Sequence, residues 1–507
     1  MDKPADADLV NSPNRLQVWL ARPLSNLQCA LGWCAASSVF AGFVIALGGP
    51  SPGDSTQSLF STWAFAHGDV NCAFPPHSLS IAPVYPLISG GVAALTRIGH
   101  AVPYPHGTAL GAHCNTAVLA AARWSLDSGA VLETLRIGYL SWLFLMAGLI
   151  AWIRASGRGR CWWEPTTLLV AAVLPTVWMC IESTFHPQDL IAMGLALAAA
   201  ACAQRQRWIA GGILIALAIL TQQFALLVGV PLFVIASREQ RTKFALSAIC
   251  TGAVIALPIL IAAGKDAAHG TLVGSGIYLT TGGTVLAELL HGTPLTLLTR
   301  GLPVLCSLLF TWWATQRLGQ RCFEALPLAC IIGVSLLFRL AFEMNLYGYY
   351  FMAASVMLLL VDVALGRIRD ASVAWLAAVT LAASSGPLSL AFLHQSWGNV
   401  ANHVLVVGIV LLASTMLIVR LFRHRQPWTI LMWFTLIVLS VLDWGATSAP
   451  LRHPPSVLLW QLMLTLSALA LMVHPLVNLL RGPSESRTQQ RQSPRKWVSI
   501  SSEGLSD

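Results

Sequence analysis

The chain has 507 residues, 56% hydrophobic and only 10% charged, with a formal net charge of +9. Soluble globular domains carry about 25% charged residues, and apolar stretches recur here from Cys29 to Leu480, so the composition excludes a soluble protein and a soluble body on one anchor. The positive balance does not read as nucleic-acid binding: Lys and Arg fall in short clusters between apolar runs, the pattern that marks cytoplasmic loops of a multi-pass membrane protein.

Residues 1–28 are polar and mixed in charge, with no convincing cleavage site after the first apolar run. They read as a cytoplasmic N-terminal segment, the first span staying as an anchor. A helix needs about 20 apolar residues to cross a bilayer. With the cationic clusters as inside markers, span one lies near 29–48 and goes out, and a long outer loop over 49–134 follows. Span two, near 135–153, returns to Arg154; span three, about 165–183, goes out; span four, about 189–204, returns to Arg205. The stretch 208–237 has cations at both ends, Arg205/Arg207 and Arg238/Arg241, and Thr221-Gln222-Gln223 at its middle. It reads as two half-helices entering and leaving one face, a backbone that has to be covered by protein or line a cavity. Further spans follow near 244–263, 301–316, 325–342, 349–366, 373–392, 402–420, 427–443 and 456–480, before a basic, Ser- and Gln-rich tail over 481–507 that reads as disordered.

The expected fold is therefore all-α: a polytopic transmembrane bundle over 29–480 with about 12 full spans and a re-entrant helical hairpin. Within the outer loop, Leu59–Phe65 and Ala82–Leu95 are apolar, bracketed by Pro75-Pro76 and Pro83. They read as interfacial helices, guiding a lipid substrate or serving as a lid. Both termini are expected in the cytoplasm of a plasma-membrane protein. Cys72 and Cys114 share the outer loop and are candidates for a disulfide in an oxidising compartment, with free thiols as the alternative, since spacing alone does not fix a pairing.

Ionisable groups at the outer rim are the candidates for chemistry, because charge near a bilayer is costly. Asp54 follows a Gly/Pro-rich turn just after span one; it is either a turn or cap residue or a general base for an acceptor hydroxyl. His186-Pro187-Gln188-Asp189 opens span four. That is an ordinary helix start or a polar patch for a sugar or phosphate, His186 serving as donor or cation. Arg339 stands four residues before Glu343 in an apolar helix, as a structural ion pair or as the holder of a lipid phosphate. Tyr347, Tyr349 and Tyr350 beside it serve as interface anchors or stack on a sugar. His67 and Tyr85 in the outer loop are candidates for acceptor binding or the lid. The further outer groups Asp69, His77, His106, His113, Glu182 and His394 show no metal-ligand spacing, and the chain has no phosphate-binding glycine loop and no nucleophile elbow. No metal and no cofactor is expected.

An outer acid after span one, a Pro-Pro patch leading into an interfacial helix, and the HPQD patch before span four resemble the GT-C fold glycosyltransferases. The nearest likeness is to bacterial polyprenol-phosphate-mannose-dependent α-mannosyltransferases, over about residues 29–370 by topology. Its most distinctive segment runs from Phe185 to Phe233. The resemblance implies Asp54 as the base, with Ser55 standing where a second acid is often found, Gln222 where a Lys is common, and Phe74 where Tyr is usual. It implies an inverting transfer of mannose from a polyprenyl-phosphate sugar donor to a lipid or glycan acceptor, with membrane lipids around the chain and no nucleic acid as partner. His186, Gln188, Asp189, Arg339, Tyr349 and Tyr350 would take the donor's phosphate and sugar. The competing readings are a transporter or lipid-linked-glycan flippase and a non-catalytic scaffold.

Overall fold

The computed structural model describes residues 33–38, 40–41, 54–70, 73–74, 82–96, 130–157, 163–172, 174, 176–177, 180–181, 185–272, 300–342, 348–365, 469 and 472–480. Among these residues there is no strand. The helices are α1 (Asp54–Ala66), α2 (Val84–Thr96), α3 (Ala130–Ala155), α4 (Trp163–Ala172), α5 (Pro187–Gln204), α6 (Trp208–Ile219), α7 (Leu226–Ile235), α8 (Arg238–Leu272), α9 (Leu302–Leu318), α10 (Ala325–Phe342) and α11 (Met352–Ala364). Leu132–Ala155, Arg238–Ala262 and Ala325–Phe342 are long and apolar enough to cross a membrane. The expected spans beyond 366, the tail, and the Cys72–Cys114 pair lie outside the described residues.

α5 is the centre of the bundle. Its residues from Pro187 to Leu197 are all buried, as are most of the remainder, and a helix buried all round has no polar face to show. Its main partner is α3, with α6 on another side. Contact with α3 is backbone-close: a Cβ on Gly148 would collide with Gly194, and one on Gly194 with the backbone of Phe144 and Leu145. Small residues permit this approach, which dispersion rewards in an apolar medium. Gly138 meets Ile181 and Gly148 meets Gly194 in the same order along both chains, so α3 and α5 run parallel. The helical residues 33–38 and 40–41 run antiparallel to α3: Ser37 donates to Met146 Sδ, while Phe40 stacks on Trp142 with ring centroids 4.4 Å apart.

α8 is the opposite case. It packs on α6, yet Leu246, Ile249, Val254, Leu257 and Ile261 are all exposed. An apolar helix with its surface left open suits lipid contact, as the composition predicts.

The sequence reading of one continuous span over 165–183 differs from the structure. α4 ends at Ala172, and turn-like bonds follow from Leu174 N–H to Ala171 O and from Val177 N–H to Leu174 O. The chain then enters α5 through Phe185, whose φ is +54°. The 208–237 stretch does break, as its polar centre suggests. α6 stops at Ile219, Gln223–Ala225 forms a single 3-10 turn, and α7 continues with Pro231 inside it.

Among the described residues, the cationic clusters come together at one end of this bundle. Gln240 donates to Gln206 at 2.6 Å, joining the Arg205/Arg207 and Arg238/Arg241 segments. Arg241 reaches back to the carbonyls of Phe233 and Val234, capping the last turn of α7. Phe323 packs edge-on against Trp208 with centroids 5.8 Å apart, which brings the Arg317/Arg321 turn to the same place. Arg154, at the matching end of α3, makes a two-bonded pair with the buried Glu164 at 2.9 and 3.1 Å.

Candidate functional site at the opposite end of the bundle

The other end of the same helices carries the polar groups. Phe185 is a buried, bulky residue held at positive φ, a conformation that costs about 1–3 kcal/mol and persists where the surroundings impose it. It aims the next residue: the His186 N–H donates to Cys180 O, and His186 O accepts from the Asp189 N–H at 3.0 Å. His186, Gln188 and Asp189 are 4%, 1% and 2% exposed, so this helix start is interior rather than a solvated rim.

The His186 ring stacks on Tyr349, centroids 4.2 Å apart and planes 19° from parallel. Its Nδ1 shares a hydrogen bond with Gln188 Nε2 at 3.0 Å. The Gln188 Oε1 is buried and has no hydrogen-bond partner among the described residues, an orphan acceptor worth about 1–3 kcal/mol when satisfied. Asp189 Oδ1 accepts from Gln222 Nε2 at 2.7 Å, while Gln222 Oε1 accepts from the Gln223 N–H at 3.1 Å. His186 and Arg339 both lie within electrostatic reach of the Asp189 carboxyl. The Arg339 guanidinium lies 4.6 Å from the Tyr350 ring centre and 5.5 Å from that of Phe224. Tyr350 in turn meets Tyr349 edge-on at 4.5 Å.

His186, Gln188, Asp189, Arg339, Tyr349 and Tyr350, expected to act together, therefore form one connected cluster from α5, the end of α10 and the turn before α11. Glu343 and Tyr347 lie outside the described residues, as do Cys72, His77, His106, His113, Glu182 and His394. Gln222 entered the sequence reading at the middle of the broken stretch and as the position where the resembled family commonly has Lys, not as a partner of Asp189; the signal was an amide pair within an apolar run, which needs a polar partner at that depth.

Asp54 is the first residue of α1. α1 and α2 lie side by side and parallel: Ser58 meets Tyr85, and one turn later Thr62 shares a 2.8 Å hydrogen bond with Ser89. Val84, at the start of α2, donates its N–H to Leu220 O at 2.9 Å. The α1 terminus at Asp54, one turn before Ser58, thus lies at the end of the α1–α2 pair that is pinned to the 220–225 break. That break also carries the Asp189 bond. Arg136 of α3 donates to Thr96 at 3.3 Å, so the end of α2 lies against the start of α3, away from the cationic end.

The lid candidates separate. Tyr85 is fully buried between α1 and α2. Its hydroxyl faces those of Thr62, Ser89 and Ser58 without a well-aligned bond among the described residues. Burial pushes its phenol well above the ordinary range, so it stays neutral and acts through packing. His67 is exposed beyond the far end of α1, about 20 Å along the helix axis from Asp54 at 1.5 Å per residue. The structure does not bring it to the cluster. Among the described residues no group of three or more His, Cys, Asp and Glu side chains is placed to hold a metal ion.

Fold and site together define a class: an all-helical bundle with membrane-length apolar helices, cationic at one end and bearing a buried acid–base–aromatic cluster at the other. No protein-family model matches the chain. No curated protein matches it either. Among solved structures, ArnT from Cupriavidus metallidurans bound to undecaprenyl phosphate superposes with a TM-score of 0.46 at 15% identity, covering 93% of this chain and 81% of that one. The same protein in the apo state gives 0.41 at 15% identity, covering 95% and 82%.

Proposed function

We propose that the chain is an integral-membrane glycosyltransferase of the GT-C kind. It moves a sugar, mannose as the first candidate, from a polyprenyl-phosphate donor to a lipid or glycan acceptor at the extracytoplasmic face. The observation that carries this reading is the placement of the buried His186–Gln188–Asp189–Gln222–Arg339–Tyr349 cluster at the end of the bundle opposite the cationic clusters. Cationic loops stay in the cytoplasm, which supports an outer position for the cluster. Buried polar and charged groups inside a membrane bundle are costly and mark substrate sites.

In this mechanism the donor enters sideways, its tail among the apolar helices. The Asp54 carboxylate takes the proton of the acceptor hydroxyl. The acceptor oxygen attacks the anomeric carbon as the bond to the phosphate oxygen breaks, and the electron pair leaves on the phosphate. One displacement inverts the anomeric centre. Arg339 and His186 meet the charge that develops on the leaving phosphate, preorganised stabilisation being the largest contribution in many such sites. Tyr349 and Tyr350 offer ring faces to the sugar, and the orphan Gln188 oxygen takes one of its hydroxyls. A phosphate leaving group needs no metal, and none is invoked.

The test supplies membranes containing the full chain with labelled polyprenyl-phosphate mannose and follows label into product. The wild type is expected to transfer label, and Asp54→Asn to lose about 10²–10⁴-fold in turnover, the range for a positioned general base, while still inserting normally. No labelled product from the wild type ends the mannose version; equal rates for the two chains end the role of Asp54. The broken α6–α7 element is also the kind of discontinuity transporters place at their sites. A carrier would move the lipid across vesicles without forming a glycosidic bond.

A further inference from the structure

The cationic end of the bundle is built around one side chain. Trp208, buried at the start of α6, meets Phe244 of α8 at 6.2 Å and Phe323, in the turn after α9, at 5.8 Å, both edge-on. Its indole N–H donates to Gln206 Oε1 at 3.1 Å, and the same oxygen accepts from Gln240 Nε2. Gln206 is held at a φ of +59°, which costs about 1–3 kcal/mol in a residue other than glycine and persists where the surroundings impose it. Three arginine-bearing segments, 205–207, 238–241 and 317–321, are thus fastened to one hub. Lys243 pairs with Glu239 and Arg321 with Glu324, while Arg241 caps α7. Arg205, Arg207, Arg238 and Arg317 are exposed and have no carboxylate partner among the described residues.

The exposed faces of the same helices approach these arginines in the order of a bilayer leaflet. Along α9 the exposed residues are Leu305, Leu308 and Leu309, then Trp312 and Trp313, then Arg317: hydrocarbon, aromatic belt and headgroup level. Toward the same end, α6 passes from Ile213 through Ile209 to Arg207, and α8 from Ile249 through Leu246 to Arg238. A topology signal asks only for cations near span ends, in any geometry. Here the turn that presents two of them is strained and fixed by two hydrogen bonds to one amide oxygen.

We propose that the Trp208 hub is a binding site for an anionic phospholipid of the adjoining leaflet. Arg205 and Arg207 take the headgroup phosphate, for which the planar guanidinium fork is suited, and Arg238 and Arg317 add to the attraction. The acyl chains lie along the exposed apolar faces of α6 and α8. This site is at the opposite end of the bundle from the Asp189 cluster and does not depend on sugar transfer.

The experiment titrates the full-length protein in neutral detergent with fluorescent phosphatidylglycerol and with phosphatidylcholine of the same chains, using inorganic phosphate as a competitor. Phosphatidylglycerol is expected to bind more tightly than phosphatidylcholine and not to be displaced by inorganic phosphate. Arg205→Gln and Arg207→Gln are each expected to weaken phosphatidylglycerol about fivefold, the scale of one basic residue at an anionic surface, with phosphatidylcholine unchanged. Gln206→Gly keeps every charge and accepts the positive φ, but releases the indole and amide bonds; it is expected to lose affinity for phosphatidylglycerol alone. Arg207→Lys, which keeps the charge without the fork, is expected to show the same selective loss and serves as the second reading should Gln206→Gly fail to fold. If phosphatidylcholine binds as tightly as phosphatidylglycerol, the surface does not select an anionic headgroup and the proposal falls. Displacement by inorganic phosphate would make it a site for free anions, which also overturns the proposal. If the glutamine variants weaken binding while Gln206→Gly and Arg207→Lys match the wild type, the arginines act as diffuse charge and there is no built site.

Discussion

Gln222 and Gln223 are neighbours of identical chemistry with opposite circumstances. Gln222 Nε2 donates to a carboxylate that is 2% exposed, whereas Gln223 Nε2 is buried without a hydrogen-bond partner among the described residues. Removing one half of a buried charge-bearing hydrogen bond costs about 1–3 kcal/mol, while removing an unsatisfied polar group costs little or stabilises. Gln222→Leu is therefore expected to lower the thermal midpoint of the detergent-solubilised protein, and Gln223→Leu to leave it level or raise it. A pair of melting curves decides the matter; equal losses would remove the special standing of Gln222. The pair also marks how far the sequence could be read at this scale. His186, Gln188 and Asp189 were legible because charge at a span boundary is conspicuous. Gln222 and Phe224 were not, since only the return of α6 alongside α5 shows which amide reaches Asp189 and which ring reaches Arg339. Phe185 gave no signal at all: nothing in a bulky apolar residue announces a positive φ.

Helix boundaries were read well where a cationic cluster closes an apolar run. The expected spans near 135–153, 189–204, 301–316 and 325–342 lie within or against α3, α5, α9 and α10. The boundary was read less well after Ala172, where the helix stops although the apolar run goes on, because hydropathy measures burial and not continuity of the backbone. Contact geometry between elements was invisible for a related reason: glycines look alike in sequence. At Gly194 a Cβ would strike the backbone of α3, whereas at Gly91 it would meet nothing within 4 Å. Gly194→Ala has to pry α3 from α5 and is expected to destabilise by about 1–3 kcal/mol, the range for overpacking. Gly91→Ala, on an exposed helical position, is expected to stabilise by about 0.4–1 kcal/mol through the unfolded chain. The same chemical change with opposite signs, measured by thermal or denaturant unfolding in matched detergent, tests the α3–α5 crossing; a neutral Gly194→Ala would count against it.

Over the whole molecule, the division into two ends makes a prediction about sidedness. Gln206 lies at the cationic end and His67 beyond the far end of α1. In a background freed of native cysteines, Gln206→Cys is expected to react with an impermeant maleimide only from the cytoplasmic side of sealed vesicles, and His67→Cys only from the other. Labelling of both from one side would overturn the outward assignment of the Asp189 cluster.

Segregation of this kind also bears on how the chain stays put once inserted. Cations at the cluster end stand beside acids, Arg136 bonded to Glu133 and Arg339 near Asp189, while Arg205, Arg207 and Arg238 are exposed at the other. If the cationic end faces the cytoplasm as proposed, reversing the molecule would drag those guanidiniums through hydrocarbon and then against a potential that is negative inside, at about 2.3 kcal/mol per charge per 100 mV. In that orientation an energised cell acts as a ratchet: every arginine delivered inward adds to the voltage-dependent work of taking it back, and de-energised vesicles are where an inverted minority is expected first.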